Sequence, residues 1–180
     1  MQVLVTRRLT LRPPTLLDAE DIALWLSNWS VARMLARVPF PYATPDAEWW
    51  ISGPAQRPQD MHFTIHRERL IGCVSMEIEG GEGRLGYWLA EPWHGHGYMT
   101  EAARAVLAFA FATRGLTAVR SSAFVDNVAS QRIQEKLGFV ATGHAEETSL
   151  SRKATVRTLT KRLTAEAFAA LDAPRYTAAA

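Results

Sequence analysis

The sequence has one cysteine, no long apolar run and almost no net charge, and each shortage excludes a class of protein. Cys73 is the single cysteine among 180 residues, so no intrachain disulfide can form and a reducing compartment is favoured. No apolar run approaches the roughly 20 residues of a membrane-spanning helix, and Arg7, Arg8 and Arg12 interrupt the region where a secretory signal would lie. The formal net charge is +2, with both signs interspersed, unlike the clustered basic face typical of nucleic-acid binding. We therefore expect a cytoplasmic protein that contacts neither nucleic acid nor a membrane.

The chain does have enough apolar material for one core. Of its 180 residues, 48% are hydrophobic, which suffices for a folded domain without disulfides, and no compositional shift divides it. We expect a single domain over residues 1–180, with its core at about 6–163 and a C-terminal tail at 164–180. The sequence leaves open whether this domain forms a homodimer.

Strand and helix patterns alternate along the chain in the order typical of an α/β domain. The central helix is the clearest, because Ala103, Val106 and Ala110 recur at helical spacing. The pattern predicts a single mixed, mostly antiparallel sheet of six or seven strands, flanked by about four helices, with one parallel pair joined by the central helix. Strands are predicted at 3–12, 61–66, 70–78, 86–90, 118–125, 139–147 and 154–163. The main helices are predicted to begin near Thr15, Thr44, Tyr98 and Asn127. Shorter helical pieces are predicted at 31–37 and from Ala165, and a frayed end at 178–180.

Between the strand at 86–90 and the central helix lies a turn that suits a phosphate. Gly95 and Gly97 flank His96, and residues without Cβ permit positive φ and close approach of a ligand to the backbone. The unpaired N–H groups and the dipole at a helix N-terminus favour an anion, although a glycine pair alone is equally typical of a tight turn. The third glycine of a dinucleotide fingerprint would fall at Thr100, and no Gly-Lys-Ser or Gly-Lys-Thr follows, so neither common phosphate loop fits.

A second motif lies downstream, where Asn127 and Ser130 form N-x-x-S and Glu-Lys-Leu-Gly-Phe follows at 135–139. Together, the turn and this motif resemble the GNAT superfamily of acyl-CoA-dependent N-acetyltransferases. The opening Thr-Arg-Arg-Leu-Thr-Leu-Arg-Pro at 6–13, with Asp-Ala-Glu at 18–20, is similar to the RimJ/RimL-like branch of ribosomal-protein alanine acetyltransferases. The resemblance runs from about Thr6 to Leu163.

The resemblance implies a fold, a cosubstrate and a set of binding residues. The fold is the GNAT fold, whose two central parallel strands splay apart to admit the pantetheine arm of acetyl-CoA. The backbone of Trp88, Leu89 and Ala90 would contact the acyl carbonyl and the pantetheine amides. Asn127 would contact the pantetheine and cap its helix, and Ser130 is the candidate general acid beside the CoA sulfur, unless it only satisfies local backbone groups. The pyrophosphate would bind the N–H groups of His94, Gly95, His96, Gly97, Tyr98 and Met99.

The general base is less well defined. The amine must lose its proton before it attacks a thioester. Several relatives carry an acid five residues before the motif asparagine, where this chain has Ser122, and the family often has Arg or Gln where this chain has Pro92. Glu77 is the chosen candidate, with Glu91 or a chain of ordered water as the alternatives. The ordinary interpretation of either carboxylate is a solvated group at a strand edge.

Two further groups of residues have competing interpretations. The pairs His94 with His96 and His62 with His66 lack a cysteine or an acidic cluster that would complete a metal site, so we expect no bound metal. We expect His94 and His96 instead to add positive charge beside the phosphates. The aromatic residues concentrated in the first helices belong either to the core or to the acceptor pocket. They are Trp25, Trp29, Phe40, Tyr42, Trp49 and Trp50.

The leading hypothesis is transfer of acetyl from acetyl-CoA to a primary amine, first of all a protein N-terminus. A small amine such as an amino acid, a polyamine or an aminoglycoside is the nearest alternative. Pro92 and Ser122 instead favour a CoA-binding module without turnover, which acetylation of any amine would exclude. A nucleotide-binding oxidoreductase would share the glycine turn, but it would require a third glycine and a run of parallel strands.

Overall fold

The computed structural model describes residues 2–172, which form an α/β domain around one eight-stranded sheet. The strand order is β1-β2-β3-β4-β5-β6-β8-β7, and only β5 and β6 pair in parallel. The predicted mixed, mostly antiparallel sheet is confirmed. The strands are β1 (Leu4–Val5), β2 (Thr10–Arg12), β3 (Met61–His66), β4 (Leu70–Glu79), β5 (Glu82–Leu89), β6 (Ala118–Phe124), β7 (Val140–Ser149) and β8 (Ala154–Thr164). The α-helices of residues 2–172 are α1 (Ala19–Leu26), α2 (Trp29–Ala32), α3 (Thr44–Ser52), α4 (Tyr98–Arg114), α5 (Val128–Lys136) and α6 (Ala165–Asp172).

The N-terminal segment differs from its prediction. The sequence predicts one strand over 3–12, but β1 and β2 form a hairpin there, which raises the strand number to eight. The chain turns at Thr6, whose amide donates to the Leu9 carbonyl at 2.9 Å. Glu101 of α4 accepts from the Thr6 hydroxyl at 2.7 Å and from the Arg8 amide at 2.9 Å. A contact with a helix so far along the chain cannot be predicted from the local alternation of apolar and polar residues.

The remaining element boundaries lie close to their predictions. The short helix expected over 31–37 is instead α2, which begins earlier because the Asn28 side chain caps it by accepting from the Ser30 amide at 2.9 Å. Asn127 caps α5 in the same way, accepting from the Ser130 amide at 3.1 Å, so its predicted capping role is confirmed. The frayed end expected at 178–180 lies outside the described residues. Across residues 2–172, no helix is long and apolar enough to cross a membrane.

Strand register divides the sheet side chains between two faces. His62, Ser75 and Gly86 stand opposite one another on β3, β4 and β5, so their side-chain positions share a face. The core of this face is the cluster formed with α1 and α3, and we call it the α1 face. The other face, the α4 face, holds Val74 and packs against the fully buried Val106 of α4.

The parallel strands β5 and β6 stay together for only three residue pairs. Glu82, Gly83 and Arg84 pair with residues 118–120, and the ladder then ends. The last link between them is the Ser121 hydroxyl, which donates to the Leu85 carbonyl at 3.0 Å. The splay expected from the family resemblance is therefore present, and it opens a gap between the last four residues of β5 and the end of β6.

The carboxylate of Asp18 locks the segment before α1 onto β2. It accepts two hydrogen bonds from the Arg12 guanidinium, at 2.8 and 2.6 Å, and one from the Thr15 amide at 2.8 Å. Burial raises the pKa of Asp18, but the bonds from Arg12 and Thr15 outweigh it and hold the pKa below the ordinary value of 3.8. The ionised form therefore stabilises the fold at all pH values above 3.8, and this stabilisation is lost as the pH falls through the lowered folded-state pKa.

Asp18→Asn is expected to lower the free energy of unfolding by about 2–3 kcal/mol at pH 7, because it leaves the Arg12 charge unpaired. Its deficit relative to the parent should shrink below pH 3.8, where the parent carboxylate also becomes protonated. Urea unfolding at pH 7 and pH 3 measures both values. Asp21→Asn is the matched control, since the pair of Asp21 with Arg69 is exposed and should contribute under about 1 kcal/mol. Equal losses in the two variants would contradict a special role for Asp18.

Candidate active site

A single cavity of about 930 Å³ passes through the gap between β5 and β6. At one end it is bordered by the turn before α4 and by α5, including Gly97 and Ile133. At the other end it opens into a space on the α1 face, which we call the chamber. The chamber is bordered by Tyr42, Trp50, His62, Ser75, Glu77, Arg84 and Glu147.

The turn before α4 presents a row of free backbone donors. Gly95 and Gly97 have φ values of 79° and 78°, a left-handed conformation that favours glycine. The amides of residues 95–100 donate to no acceptor within residues 2–172, because α4 begins at Tyr98 and its first internal acceptor, the Gly97 carbonyl, receives the Glu101 amide. Gly95, Gly97, Tyr98 and Met99 all border the cavity. This arrangement can bind an anion.

The two histidines of the turn are engaged in holding its shape. His94 Nε2 lies 2.7 Å from the Leu89 carbonyl oxygen, and since a carbonyl only accepts, this nitrogen carries the proton. The His94 amide donates to the Glu91 carbonyl at 3.0 Å, so it does not face a ligand. His96 Nδ1 donates to the His94 carbonyl at 2.7 Å, and its ring stacks on Tyr98 with centroids 5.7 Å apart.

Of the backbone groups that the family resemblance names at the end of β5, some face β4 and some face the gap. The Ala90 amide donates to the Ile71 carbonyl at 2.8 Å, on the β4 side of the strand. Backbone groups alternate along a strand, so Trp88 also faces β4, while Tyr87 and Leu89 face the gap. Trp88 instead borders the cavity with its side chain. Of the three residues suggested by the resemblance, only Leu89 directs its amide into the gap.

Ser130 lies beside a residue that sequence analysis missed. Its Oγ is 2.9 Å from the hydroxyl of Tyr87, which also donates to the Ser130 carbonyl at 3.2 Å. Both residues border the cavity, as does Asn127. Burial raises the pKa of Tyr87 to about 12, against the opposing effect of its bond to Ser130. Tyr87 is therefore a neutral proton donor at pH 7.

Glu77 stands on the chamber side, as its place on β4 predicts. Its Oε1 lies 2.5 Å from Arg37 Nη2, and it faces Arg84 across the β4–β5 ladder. Glu91, the alternative candidate, accepts from the Asn28 side chain at 2.6 Å and does not border the cavity. Of these two predicted carboxylates, the structure brings only Glu77 to the site.

Glu147 is a third carboxylate, and sequence analysis missed it. It projects from β7 into the chamber, where its Oε1 accepts from the Ser122 hydroxyl at 2.8 Å and lies 3.5 Å from Arg84 Nη2. Its other oxygen has no hydrogen-bond donor within residues 2–172. The family resemblance led us to look for an acid at position 122, and a strand remote in sequence brings a carboxylate to the Ser122 that stands there. The alternation of β7 alone could not have revealed this, because Glu146 and Glu147 are adjacent.

The tip of the β7–β8 hairpin closes the chamber against the segment after α2. Ser151 Oγ donates to the Ala32 carbonyl at 3.0 Å, the Leu150 amide donates to Ala36 at 2.9 Å, and Arg152 Nε donates to Arg33. Arg152 also pairs with Asp126 at 3.0 Å, just before the α5 cap. These contacts hold the Glu147 strand beside the gap.

The aromatic residues of the first helices divide between the two predicted roles. Tyr42, Trp49 and Trp50 border the cavity. Trp25 packs against the core of the α1 face, and Trp29 contacts Phe40 edge-to-face with centroids 5.0 Å apart. No group of three or more His, Cys, Asp or Glu side chains within residues 2–172 is placed to hold a metal ion.

A splayed strand pair with an amide-lined turn on one side and a carboxylate-bearing chamber on the other suits a transferase that brings two substrates together across a sheet. Residues 8–140 match the family model described as an acetyltransferase (GNAT) domain. The chain therefore belongs to the GNAT acetyltransferase family and is an N-acetyltransferase by class.

Known proteins resemble the chain over most of its length. It is 26% identical over 140 residues to the uncharacterized N-acetyltransferase YokL of the SPbeta prophage of Bacillus subtilis, covering 75% of this chain and 77% of that one. The RimL ribosomal L7/L12 alpha-N-protein acetyltransferase in complex with coenzyme A superposes with a TM-score of 0.79 at 20% identity, over 92% of this chain and 99% of that one. The microcin C7 self-immunity acetyltransferase MccE, in complex with acetyl-CoA and AMP, superposes with a TM-score of 0.77 at 18% sequence identity. This superposition covers 88% of this chain and 93% of that one.

Proposed function

We propose that the protein acetylates the amino terminus of a peptide or protein. The observation that carries this proposal is the continuous cavity, which joins the free amides before α4 to the chamber through the strand gap. An amine entering the chamber would meet a thioester placed in the gap. The presence of RimL among proteins of this fold supports a protein acceptor.

The acetyl-CoA site is proposed to follow the cavity from α5 to the gap. The amides of residues 95–99 would bind the pyrophosphate, with the helix dipole adding to the attraction. Asn127 and the gap-facing backbone of Tyr87 and Leu89 would hold the pantetheine arm. The Leu89 amide, which faces the gap, would donate to the thioester carbonyl, and a fixed donor there would stabilise the negative charge that this oxygen gains.

Two proton movements complete the proposed mechanism. The thioester supplies the activated acetyl group, and the amine must be neutral to attack it. We propose Glu147 as the proton acceptor, because it stands beside the gap at Ser122 and has a free oxygen, while Glu77 is tied more closely to Arg37. Ser130, with Tyr87 behind it, would donate a proton to the departing thiolate. Positioning of the two substrates supplies the rest of the acceleration.

Calorimetric titration with acetyl-CoA, followed by an acceptor screen that begins with N-terminal peptides, tests the proposal. NAD and ATP are the controls for the phosphate site. Binding of acetyl-CoA together with acetylation of a peptide would support it. Acetylation of small amines alone would favour the second candidate, in which the acceptor is a small molecule; the complex of the same fold with AMP supports this alternative. Binding without turnover of any amine would make the protein a CoA-binding module.

Tyr87→Phe is expected to lower kcat by about 10–100-fold with little change in acetyl-CoA affinity, because it removes one proton donor and keeps the ring. Ser130→Ala should act in the same direction. The α5 cap survives in both variants, since Asn127 binds the Ser130 amide and not its hydroxyl. Single-turnover rates and acetyl-CoA titration separate the two quantities. An equal loss of rate and affinity would assign the pair a structural role.

A further inference from the structure

A carboxylate lies in the first turn of α4, close to the free amides that border the cavity. Glu101 Oε1 accepts from the Thr6 hydroxyl at 2.7 Å and from the Arg8 amide at 2.9 Å, so it fastens the β1–β2 hairpin to the helix. Partial burial raises the pKa of Glu101, but the hydrogen bonds from Thr6 and Arg8 outweigh it and hold the pKa below the ordinary value of 4.5. Glu101 is therefore negatively charged at pH 7.

The negative charge of Glu101 opposes the binding of an anion at the turn before α4. The helix dipole stabilises a carboxylate in the first turn of a helix, and the same dipole favours a phosphate there. Glu101 follows Gly97 by four residues, which is about 6 Å along the helix axis. This separation is shorter than the screening length of about 8 Å at physiological ionic strength. An uncompensated Glu101 would therefore repel a phosphate bound by the turn.

The guanidinium group of Arg8 supplies a compensating positive charge. Its Nε donates to Glu101 Oε2 at 2.7 Å, and its Nη1 donates to the His96 carbonyl at 3.0 Å. Its central carbon lies 4.5 Å from the centre of the Tyr98 ring. The group thus spans the glycine turn, from the carbonyl just before Gly97 to the carboxylate of the first helical turn.

Arg8 lies on the side of the turn that faces away from the cavity. The C=O and N–H groups of one trans peptide unit point in opposite directions. Because Arg8 binds the His96 carbonyl, the Gly97 amide of the same peptide unit points away from Arg8. Gly97 borders the cavity and Arg8 does not. Arg8 can therefore influence a phosphate bound by the amides only through Glu101 and the turn, and not by direct contact.

We infer that Arg8 is a positioning residue for acetyl-CoA, which permits phosphate binding at the turn by neutralising Glu101. This inference rests on the proposed function, because it takes the pyrophosphate to lie on the amides of residues 95–99. The fold uses the Glu101 carboxylate to hold the β1–β2 hairpin, whereas the ligand requires a turn without net negative charge. The ion pair with Arg8 satisfies both requirements.

Variants that neutralise one charge or both separate compensation from simple tethering. Arg8→Gln leaves Glu101 charged and should weaken acetyl-CoA binding by about tenfold, equivalent to about 1.4 kcal/mol. Glu101→Gln should bind acetyl-CoA at least as tightly as the parent, because the charge of Arg8 is then unopposed and the glutamine oxygen can still accept from Thr6. The double variant should recover most of the affinity that Arg8→Gln loses. Calorimetric titration measures the four dissociation constants, and thermal unfolding confirms that each variant folds.

Recovery in the double variant is the decisive result. A double variant that binds no better than Arg8→Gln would overturn the inference, because Arg8 would then act independently of Glu101. Weaker binding in Glu101→Gln than in the parent would also overturn it, since the carboxylate would then serve the site only as a tether. The deficit of Arg8→Gln should shrink as the salt concentration rises from about 0.05 to 0.5 M, because salt screens the repulsion. A deficit that does not change with salt would contradict an effect of charge.

Arg69→Gln is the matched control. Arg69 pairs with Asp21 at 3.2 Å and lies over the Trp25 ring at 5.1 Å, but on the α1 side of the sheet and without bordering the cavity. Its loss should leave the affinity for acetyl-CoA near that of the parent. In steady-state kinetics, the effect of Arg8→Gln should appear in KM for acetyl-CoA and not in kcat. A parent protein that does not bind acetyl-CoA would refute the proposed function, whereas equal binding by the parent and Arg8→Gln would refute this inference alone.

Discussion

Glu147→Gln is expected to lower kcat by about 10²–10³-fold while acetyl-CoA affinity stays near that of the parent. The substitution removes the proposed proton acceptor and keeps the shape of the side chain, and general-base catalysis typically contributes about 10²–10⁴-fold. The Ser122 hydroxyl can still donate to the amide oxygen of glutamine, so the local packing is preserved. Steady-state kinetics with a peptide acceptor and titration with acetyl-CoA measure the two effects.

The pH dependence of this deficit distinguishes a base from a positioning residue. A peptide amino group has an ordinary pKa near 8, so above that pH the free amine is already neutral, and a proton acceptor is needed only for the proton that the nitrogen loses as the amide bond forms. The deficit of Glu147→Gln should therefore shrink as the pH rises from 7 to 9. A deficit that is constant with pH would assign Glu147 to acceptor positioning.

Two matched variants test which carboxylate is the general base. Glu146→Gln changes the neighbouring, exposed residue of β7 and should have little effect. Glu77→Gln tests the candidate that the sequence suggested, and it should cost less than Glu147→Gln if the proposed order is right. The reverse order would restore Glu77 as the base.

Gly97→Val is expected to weaken acetyl-CoA binding by about 10–100-fold. Gly97 has φ of 78° at the start of α4, and a β-branched residue adopts this conformation only with strain. A Cβ there would lie 3.6 Å from Arg8 Nη2, an ordinary contact, so the effect comes from turning the amides away and not from a clash. Each bond between an amide and a charged phosphate contributes about 1.5–3 kcal/mol. Calorimetric titration measures the affinity.

Gly81→Val is the control for backbone strain. Gly81 lies in the β4–β5 turn with φ of 79°, and a Cβ there would meet nothing within 4 Å. It does not border the cavity. Both variants should lose similar stability on thermal unfolding, but only Gly97→Val should lose acetyl-CoA affinity. Parallel losses of affinity in both would mean that the turn before α4 does not bind the phosphates.

Elements with strong local signals could be predicted from the sequence. The stripe of α4, the Asn127 cap and the glycines before α4 depend on residues close together in the chain, and the helix, the cap and the positive φ values are all present. The hairpin of β1 and β2 was missed because Glu101 of α4 holds its turn.

The partners within the site were harder to predict, because they come from distant segments. Tyr87 meets Ser130 across 43 residues of chain, and Ser122 meets Glu147 across 25. The first pair spans the gap that opens when β5 and β6 part after Arg84, and the second lies on the β6 side of that gap. A residue's distance from such a gap depends on sheet order and twist, neither of which is encoded in local spacing.

By itself, the sequence determined the class of protein. The glycine turn, the N-x-x-S motif and their helices are local features, so the family resemblance can be recognised from residues that are close together in the chain. Only the tertiary structure decided the chemistry of the acceptor side. The α1 face brings a buried histidine on β3, a carboxylate on β4 and another on β7 around one chamber. Their proximity results from strand order and from the closing of the β7–β8 hairpin onto the α2 segment, which are properties of the packed fold.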